Sequence, residues 1–238
     1  GHGGRTRRAE RMHPIIAIET STPLGGVAVG RGAELLAEVV VGMGTRHAEA
    51  LLPAIDFALR RSGVEREDIG GVVVAAGPGS FTGVRIAGAT AKALARTLEV
   101  PLYAYSSLAA LAAGAGCADR AVCALFDARR GEVYGACYRF PGFGALEELA
   151  APAALPVGEL LARVSAHAPI YIGEGAWRYR EEIEATGGVI LPAHLSVPRP
   201  AALLWLRELA PEAGRVADPA GWEPLYLRSS GAERGVAG

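Results

Sequence analysis

The strongest constraint on the fold is the run Gly77-Pro78-Gly79-Ser80-Phe81-Thr82-Gly83-Val84-Arg85, set between the apolar run Gly71 to Ala76 and the small-residue run Ile86 to Leu98. A buried strand meeting a tight glycine turn and then a helix start aims free backbone N–H groups outward. Such a turn suits an anion or a partner's acidic group, and it is equally a plain way to turn a strand into a helix. It is not a P-loop, because no Gly-Lys-Ser/Thr follows and Lys92, the single lysine, lies well inside the next helix. It is not a dinucleotide fingerprint either, since Gly83 comes one residue too late.

Around this unit the hydrophobic periodicity predicts strands at Ile15 to Glu19, Gly25 to Gly30 and Glu34 to Val41, read as an antiparallel meander. A helix follows from His47 to Arg61, with Leu51, Leu52, Ile55, Ala58 and Leu59 on one broad stripe and Thr45 as its N-cap. Pro53 removes a helical hydrogen bond, so this helix is expected to start late or to kink. Strand Gly71 to Ala76, helix Thr82 to Leu98 and strand Val100 to Tyr105 complete the first block.

The second block repeats the order. Ala121 to Phe126, Glu132 to Phe140 and Leu146 to Ala151 read as strands, Val157 to His167 as a helix and Ile170 to Ile172 as a strand. Helix Ala176 to Thr186, strand Val189 to Leu191 and helix Pro200 to Leu209 follow. A strand-rich block followed by alternating helices, given twice, predicts an internally duplicated α/β protein of two similar lobes, 12–105 and 106–238. Residues 1–11 precede Met12 and resemble an expression remnant rather than a basic RNA-binding arm.

A chain of 238 residues, half of them hydrophobic, supports a substantial core. A formal net charge of -1 supplies no overall field for nucleic acid or membrane, so an RNA contact would be local or made by a partner. The odd count of cysteines (Cys117, Cys123 and Cys137), without CxxC spacing, points to reduced thiols in small core positions. With no apolar run of membrane-spanning length and no signal-peptide pattern, a cytoplasmic protein is expected.

The helix from Thr82 carries two small-residue rows. Gly83, Ala87, Ala91 and Ala95 form one row, and Ile86, Thr90, Leu94 and Leu98 the next. Close packing against helix 47 to 61 in the same lobe is one use of the first row, and docking of another subunit is a second. Glu19-Thr20-Ser21-Thr22 ends the first strand with an acid and three hydroxyls, a pattern that orients a hydrated magnesium ion and holds phosphate, or that satisfies the turn backbone. His47, His167 and His194 are dispersed, no HExxH pair occurs and Ser80 lacks a nucleophile-elbow context, so a metallopeptidase and a serine hydrolase are both disfavoured.

Together, Ile16 to Thr22, His47-Ala48-Glu49-Ala50-Leu51-Leu52-Pro53, the run Gly77 to Arg85 and Ser106-Ser107-Leu108 resemble the TsaB (YeaZ-type) family of bacterial tRNA threonylcarbamoyladenosine synthesis. The resemblance is dense from Ile15 to about Leu111 and thins beyond, where Asp127 to Tyr134 and Pro224 to Arg228 also look like family signatures. It implies the duplicated actin-like (ASKHA, ribonuclease H-like) fold and a non-catalytic subunit that supports the metal-bearing sister TsaD. It further implies the ATPase TsaE as a third member, tRNA reached through the complex, and a homodimer as the expected state of the chain in isolation. The sister's two metal-binding histidine positions fall here on Ser107 and Leu111, and leucine offers no donor atom.

The resemblance places the partner interface on the two first-lobe helices, at His47, Leu51, Leu52, Ile55, Gly83, Arg85, Ala87, Ala91 and Ala95. A phosphate or nucleotide site is expected, if at all, at Glu19, Thr20, Ser21, Gly77, Gly79 and Ser80, although related kinases use aspartate where Glu19 stands. In the second lobe only Ile172-Gly173-Glu174-Gly175 offers adenosine-binding glycines. No cofactor is expected on this chain alone, and ATP or ADP is expected at the shared interface with TsaD and TsaE. A stand-alone phosphotransferase or a metallopeptidase-like enzyme is the alternative.

Overall fold

The computed structural model describes residues 12–43 and 47–227. In the first half, β1 (Ile15–Glu19), β2 (Leu24–Arg31) and β3 (Glu34–Gly42) form an antiparallel meander, followed by α1 (His47–Ser62), β4 (Gly71–Ala75), α2 (Phe81–Thr97) and β5 (Leu102–Tyr105). The first sheet has the order β3-β2-β1-β4-β5, with β4 and β5 parallel to β1. After α3 (Ser107–Gly114) the pattern recurs as β6 (Val122–Arg129), β7 (Glu132–Arg139), β8 (Glu147–Pro156), α4 (Val157–Val164), β9 (Ile170–Ile172), α5 (Glu174–Arg178), α6 (Arg180–Ala185) and β10 (Val189–Ile190). Its sheet reads β8-β7-β6-β9-β10 with the same directions. Two copies of one strand order make this the duplicated actin-like α/β fold.

Strand alternation explains the layers. Ile16, Ile18, Val72 and Val74 point to the face covered by α1 and α2, and their neighbours Ile15, Ala17, Val73 and Ala75 point inward to a central layer. The second sheet mirrors this, with Val122, Ala124 and Phe126 facing the centre, and Cys123 and Leu125 facing α4 to α6. Cys123 and Cys137 are the small core residues expected, opposite one another across β6 and β7, while Cys117 is only half-buried.

The central layer consists of α3 and α7 (Pro200–Leu209). Helix α3 is apolar all round, with Leu108 to Ala112 buried, which is the signature of a helix enclosed on every side. The sequence reading passed over it because a uniformly apolar helix has no periodicity to detect. Ser106 caps it, accepting from the Leu108 amide at 3.2 Å. Helix α7 lies against β1 and β2 of the first sheet, where Leu204 reaches Gly30. Beyond α8 (Pro211–Gly214) the chain pairs Val216 with Leu102 on the edge of the first sheet and crosses α2 as a strap.

Some boundaries differ from expectation. The helix expected over Ala176 to Thr186 is two helices broken at Tyr179 (φ -106°, ψ 36°). The helix from Val157 ends at Val164, continues as a 3-10 turn to His167 and stops at Ala168 in the left-handed region. Strand β8 runs five residues past Ala151, because β7 supplies partners as far as Glu132. Helix α1 runs across Pro53 from His47 to Ser62, so of the late start or kink expected from that proline the late start is not observed. Thr45 and residues 1–11 lie outside the described residues.

Candidate functional site

The ends of β1 and β6 face each other across an open cleft of about 750 Å³ between the two halves of the fold. One lip carries Ser21, Thr22, Gly79, Ser80 and Phe81, and the other Phe126, Asp127, Arg129, Tyr134, Glu174 and Ser196. The first lip is assembled by hydrogen bonds between distant segments. Thr20 Oγ1 donates to the Gly83 carbonyl at 2.8 Å, and the Ser80 amide donates to the Ser21 carbonyl at 2.7 Å. Ser80 Oγ in turn accepts from the Gly83 amide at 3.2 Å and caps α2.

Gly77 (φ +87°) adopts a left-handed conformation, and Gly79 allows close approach, since a Cβ there would lie 2.4 Å from the Ser21 carbonyl oxygen. The Gly77-Pro78 peptide is cis. The structure therefore places Ser21, Gly79 and Ser80 on the lip, with Thr20 and Gly77 in the segments behind it, and the Ser80 and Gly83 amides are engaged by Ser21 and Ser80.

Glu19 is also in this group but does not open into the cleft. It is fully buried, and burial pushes its carboxyl up to about 7, against the opposing influence of the Ser21 hydroxyl and amide and the Ser107 hydroxyl. Its Oε1 accepts from the Ser21 amide at 2.6 Å. Its Oε2 and the hydroxyls of Ser21 and Ser107 are enclosed without a partner that closes to hydrogen-bond geometry.

On the second lip Glu174 Oε1 accepts from the Asp127 amide at 2.8 Å, Asp127 Oδ1 accepts from the Arg129 amide at 2.9 Å, and Arg178 lies 3.3 Å from Asp127. Burial raises the Glu174 carboxyl as well. The glycines of Ile172 to Gly175 are used for packing. A Cβ on Gly173 (φ +113°) would lie 2.1 Å from the Leu125 carbonyl, and one on Gly175 2.8 Å from the Phe126 backbone. Arg129 and Tyr134 on this lip were not singled out one by one, although the quoted run Asp127 to Tyr134 contains both. Ser196 had no sequence signal, and it enters the site because its Oγ accepts from the Gly173 amide at 3.2 Å.

The predicted docking residues divide by exposure. Leu51, Ile55, Gly83, Ala87, Ala91 and Ala95 are buried within the chain, where the small-residue row lets α2 approach its own sheet and α1. That row is therefore not an outward surface, which corrects the expectation that these six present themselves to a partner. Leu52 is 62% exposed and Phe57 48%, so α1 keeps an apolar outer side. His47 begins α1, and its side chain lies outside the described residues.

Arg85 is exposed, with its guanidinium 5.1 Å from the centre of the Phe81 ring, itself 5.2 Å from the Tyr226 ring. An aromatic face meets this arginine, and among the described residues no ion pair holds it. The strap that brings Tyr226 is fixed by Lys92, whose Nζ donates to the Ala220 and Trp222 carbonyls at 2.8 and 3.0 Å. The Leu225 amide donates to the Ala76 carbonyl at 2.7 Å.

Ser107 and Leu111 sit one turn apart on α3 and are both fully buried in the central layer. No group of three or more metal-ligating side chains occurs among the described residues.

Comparison with known proteins agrees with this architecture. Residues 42–176 match the family model described as TsaD, tRNA N6-adenosine threonylcarbamoyltransferase. The Bacillus subtilis tRNA threonylcarbamoyladenosine biosynthesis protein TsaB is 34% identical over 92% of this chain and 96% of its own length. The Escherichia coli protein of the same description is 38% identical over 52% of this chain and 54% of its own. The solved structure of YeaZ from Pseudomonas aeruginosa, 32% identical, superposes with a TM-score of 0.78 over 91% of this chain and all of that one.

Proposed function

Since this chain belongs to the TsaB family of tRNA threonylcarbamoyladenosine biosynthesis, we propose that it is the non-catalytic scaffold subunit of that synthesis. In this reading it binds and supports TsaD, helps recruit TsaE and reaches tRNA only through the complex. It works in the cytoplasm and forms a homodimer when alone. ATP or ADP binds where the three proteins meet rather than on this chain by itself.

The observation that carries the reading is the burial of Ser107 and Leu111, the positions on which the family resemblance places the sister's metal-binding histidines. Both are enclosed in α3, and the leucine side chain supplies packing to the central core where a ligand would need a nitrogen or oxygen. A subunit that retains the fold while its metal positions are spent on packing acts by binding. Its docking surface is then the outer side of α1, at Leu52 and Phe57, together with the exposed Arg85.

Threonylcarbamoylation of tRNA tests this. The isolated chain should yield no modified adenosine, whereas TsaD with TsaE should depend on it. Leu52→Arg and Phe57→Arg should lower the complex mass measured with TsaD while leaving the fold intact. Modified tRNA produced by the chain alone would overturn the reading. The stand-alone phosphotransferase is the second reading, favoured only by the cleft. Calorimetry showing Mg-ATP binding to the isolated chain would revive it.

A further inference from the structure

Glu19 closes the carboxyl end of β1, and its side chain lies at the junction between the two halves of the fold. Its contacts come from Ser21 in the turn that lines the cleft and from the first residue of α3, the helix that connects the two sheets. Ser107, that first residue, donates its amide to the Gly77 carbonyl at 2.8 Å, so the glycine turn, β1 and α3 meet at one point.

The site holds an uncompensated charge poorly. The carboxyl has no exposure, accepts one backbone amide, and is influenced only by the side chains of Ser21 and Ser107. Among the described residues no arginine, lysine, histidine or acidic group of β2, the glycine turn, α2 or α3 bears on it. Enclosing a carboxylate without a cation is unfavourable, and such groups take up a proton instead. Three enclosed oxygens, Glu19 Oε2, Ser21 Oγ and Ser107 Oγ, await a hydrogen-bonding arrangement. Each hydroxyl can donate to Oε2 or accept from it, so a proton on Oε2 removes the charge while leaving every member of the set a partner.

We propose that Glu19 is held as a neutral carboxylic acid whose proton is shared with the Ser107 hydroxyl, pinning the end of β1 to the start of α3. The junction is then a pH-sensitive fastening between the halves, and the β1 end of the cleft carries no anionic group to orient a metal-bound phosphate. This inference stands apart from the scaffold reading, since it concerns the chain by itself.

The sign follows from the raised folded-state value. The stabilisation is fully present below the unfolded value of 4.5 and is lost as pH rises through about 7. The test is the melting temperature of the full chain as a function of pH for wild type and Glu19→Gln, together with its carboxyl 13C titration. Wild type should lose stability relative to Glu19→Gln on going from acid to neutral pH, and the two curves should run parallel above about pH 8. One glutamate carboxyl should titrate near neutrality and persist in Glu174→Gln.

A Glu19 carboxyl that titrates near 4.5 would overturn the proposal, and this readout needs only wild type and the folded control if Glu19→Gln does not fold. A magnesium-dependent rise in melting temperature, absent in Glu19→Gln, would overturn it in favour of a charged, cation-holding carboxylate.

Discussion

The backbone of Gly79 lies directly against the carbonyl of Ser21, so that a Cβ on Gly79 would fall 2.4 Å from that oxygen, while the adjoining Ser80 amide donates to it at 2.7 Å. The glycine turn is thereby fastened to the end of β1, and the cleft lip depends on the absence of one methyl group. Gly79→Ala should destabilise by about 1–3 kcal/mol, the usual cost of forcing volume into a tight site. Urea denaturation would check it, with Gly42→Ala, where a Cβ meets nothing within 4 Å, as the benign control.

Thr20 ties the same two segments from the other side through its hydroxyl and the Gly83 carbonyl. Thr20→Val keeps the shape and removes the donor, leaving the Gly83 carbonyl with its helical bond alone. A loss of about 0.5–1.5 kcal/mol is expected. A denaturation midpoint unchanged from wild type would mean that water replaces the hydroxyl.

Burial separates the residues of the two first-lobe helices. Ala91→Leu should cost about 1–3 kcal/mol, because Ala91 is fully enclosed against the sheet. Leu52→Ser should stay within about 0.5 kcal/mol, since its side chain already meets solvent. Thermal unfolding of the two variants side by side distinguishes a core row from an outer surface, and it shows why arginine at Ala87 or Ala91 would report on folding rather than on docking.

Glu38 on β3 accepts from Arg199 through both carboxylate oxygens and from the Ala201 amide at 3.0 Å. Removal of the exposed arginine, as in Arg199→Ala, should cost less than about 1 kcal/mol. Glu38→Ala also strips an acceptor from the first turn of α7 and should cost more. Equal losses in the two variants would mean that the amide finds another acceptor.

Lys92 holds the strap across α2. Lys92→Met should speed amide exchange at Leu225, whose N–H depends on the strap staying in register with Ala76, with a global loss of about 1 kcal/mol. Unchanged exchange at Leu225 would show that Trp222 and Pro224 packing against Gly88 suffices.

The duplicated strand order was legible in the sequence because it is written in short continuous apolar runs: Ile15 to Glu19 and Ala121 to Phe126 announce equivalent strands. The glycine turn was legible too, since Gly77 and Gly79 stand where backbone geometry excludes a side chain. Period and spacing also placed Gly83, Ala87, Ala91 and Ala95 on one row of α2. They could not say what covers that row, because a four-residue repeat fits a sister subunit and the chain's own sheet alike. Only the tertiary structure assigned it to the lobe's interior.

The same limit applies to the rest of the site. α3 has no periodic face to read, and the strap matters through Lys92 and Trp222, far apart in the chain. Glu19, an acid beside hydroxyls in the sequence, becomes a fully enclosed group only when β1, the glycine turn and α3 close around it. Local sequence fixes which conformations a segment prefers. The dielectric around a carboxyl and the neighbour across a helix face are set by segments that meet only on folding.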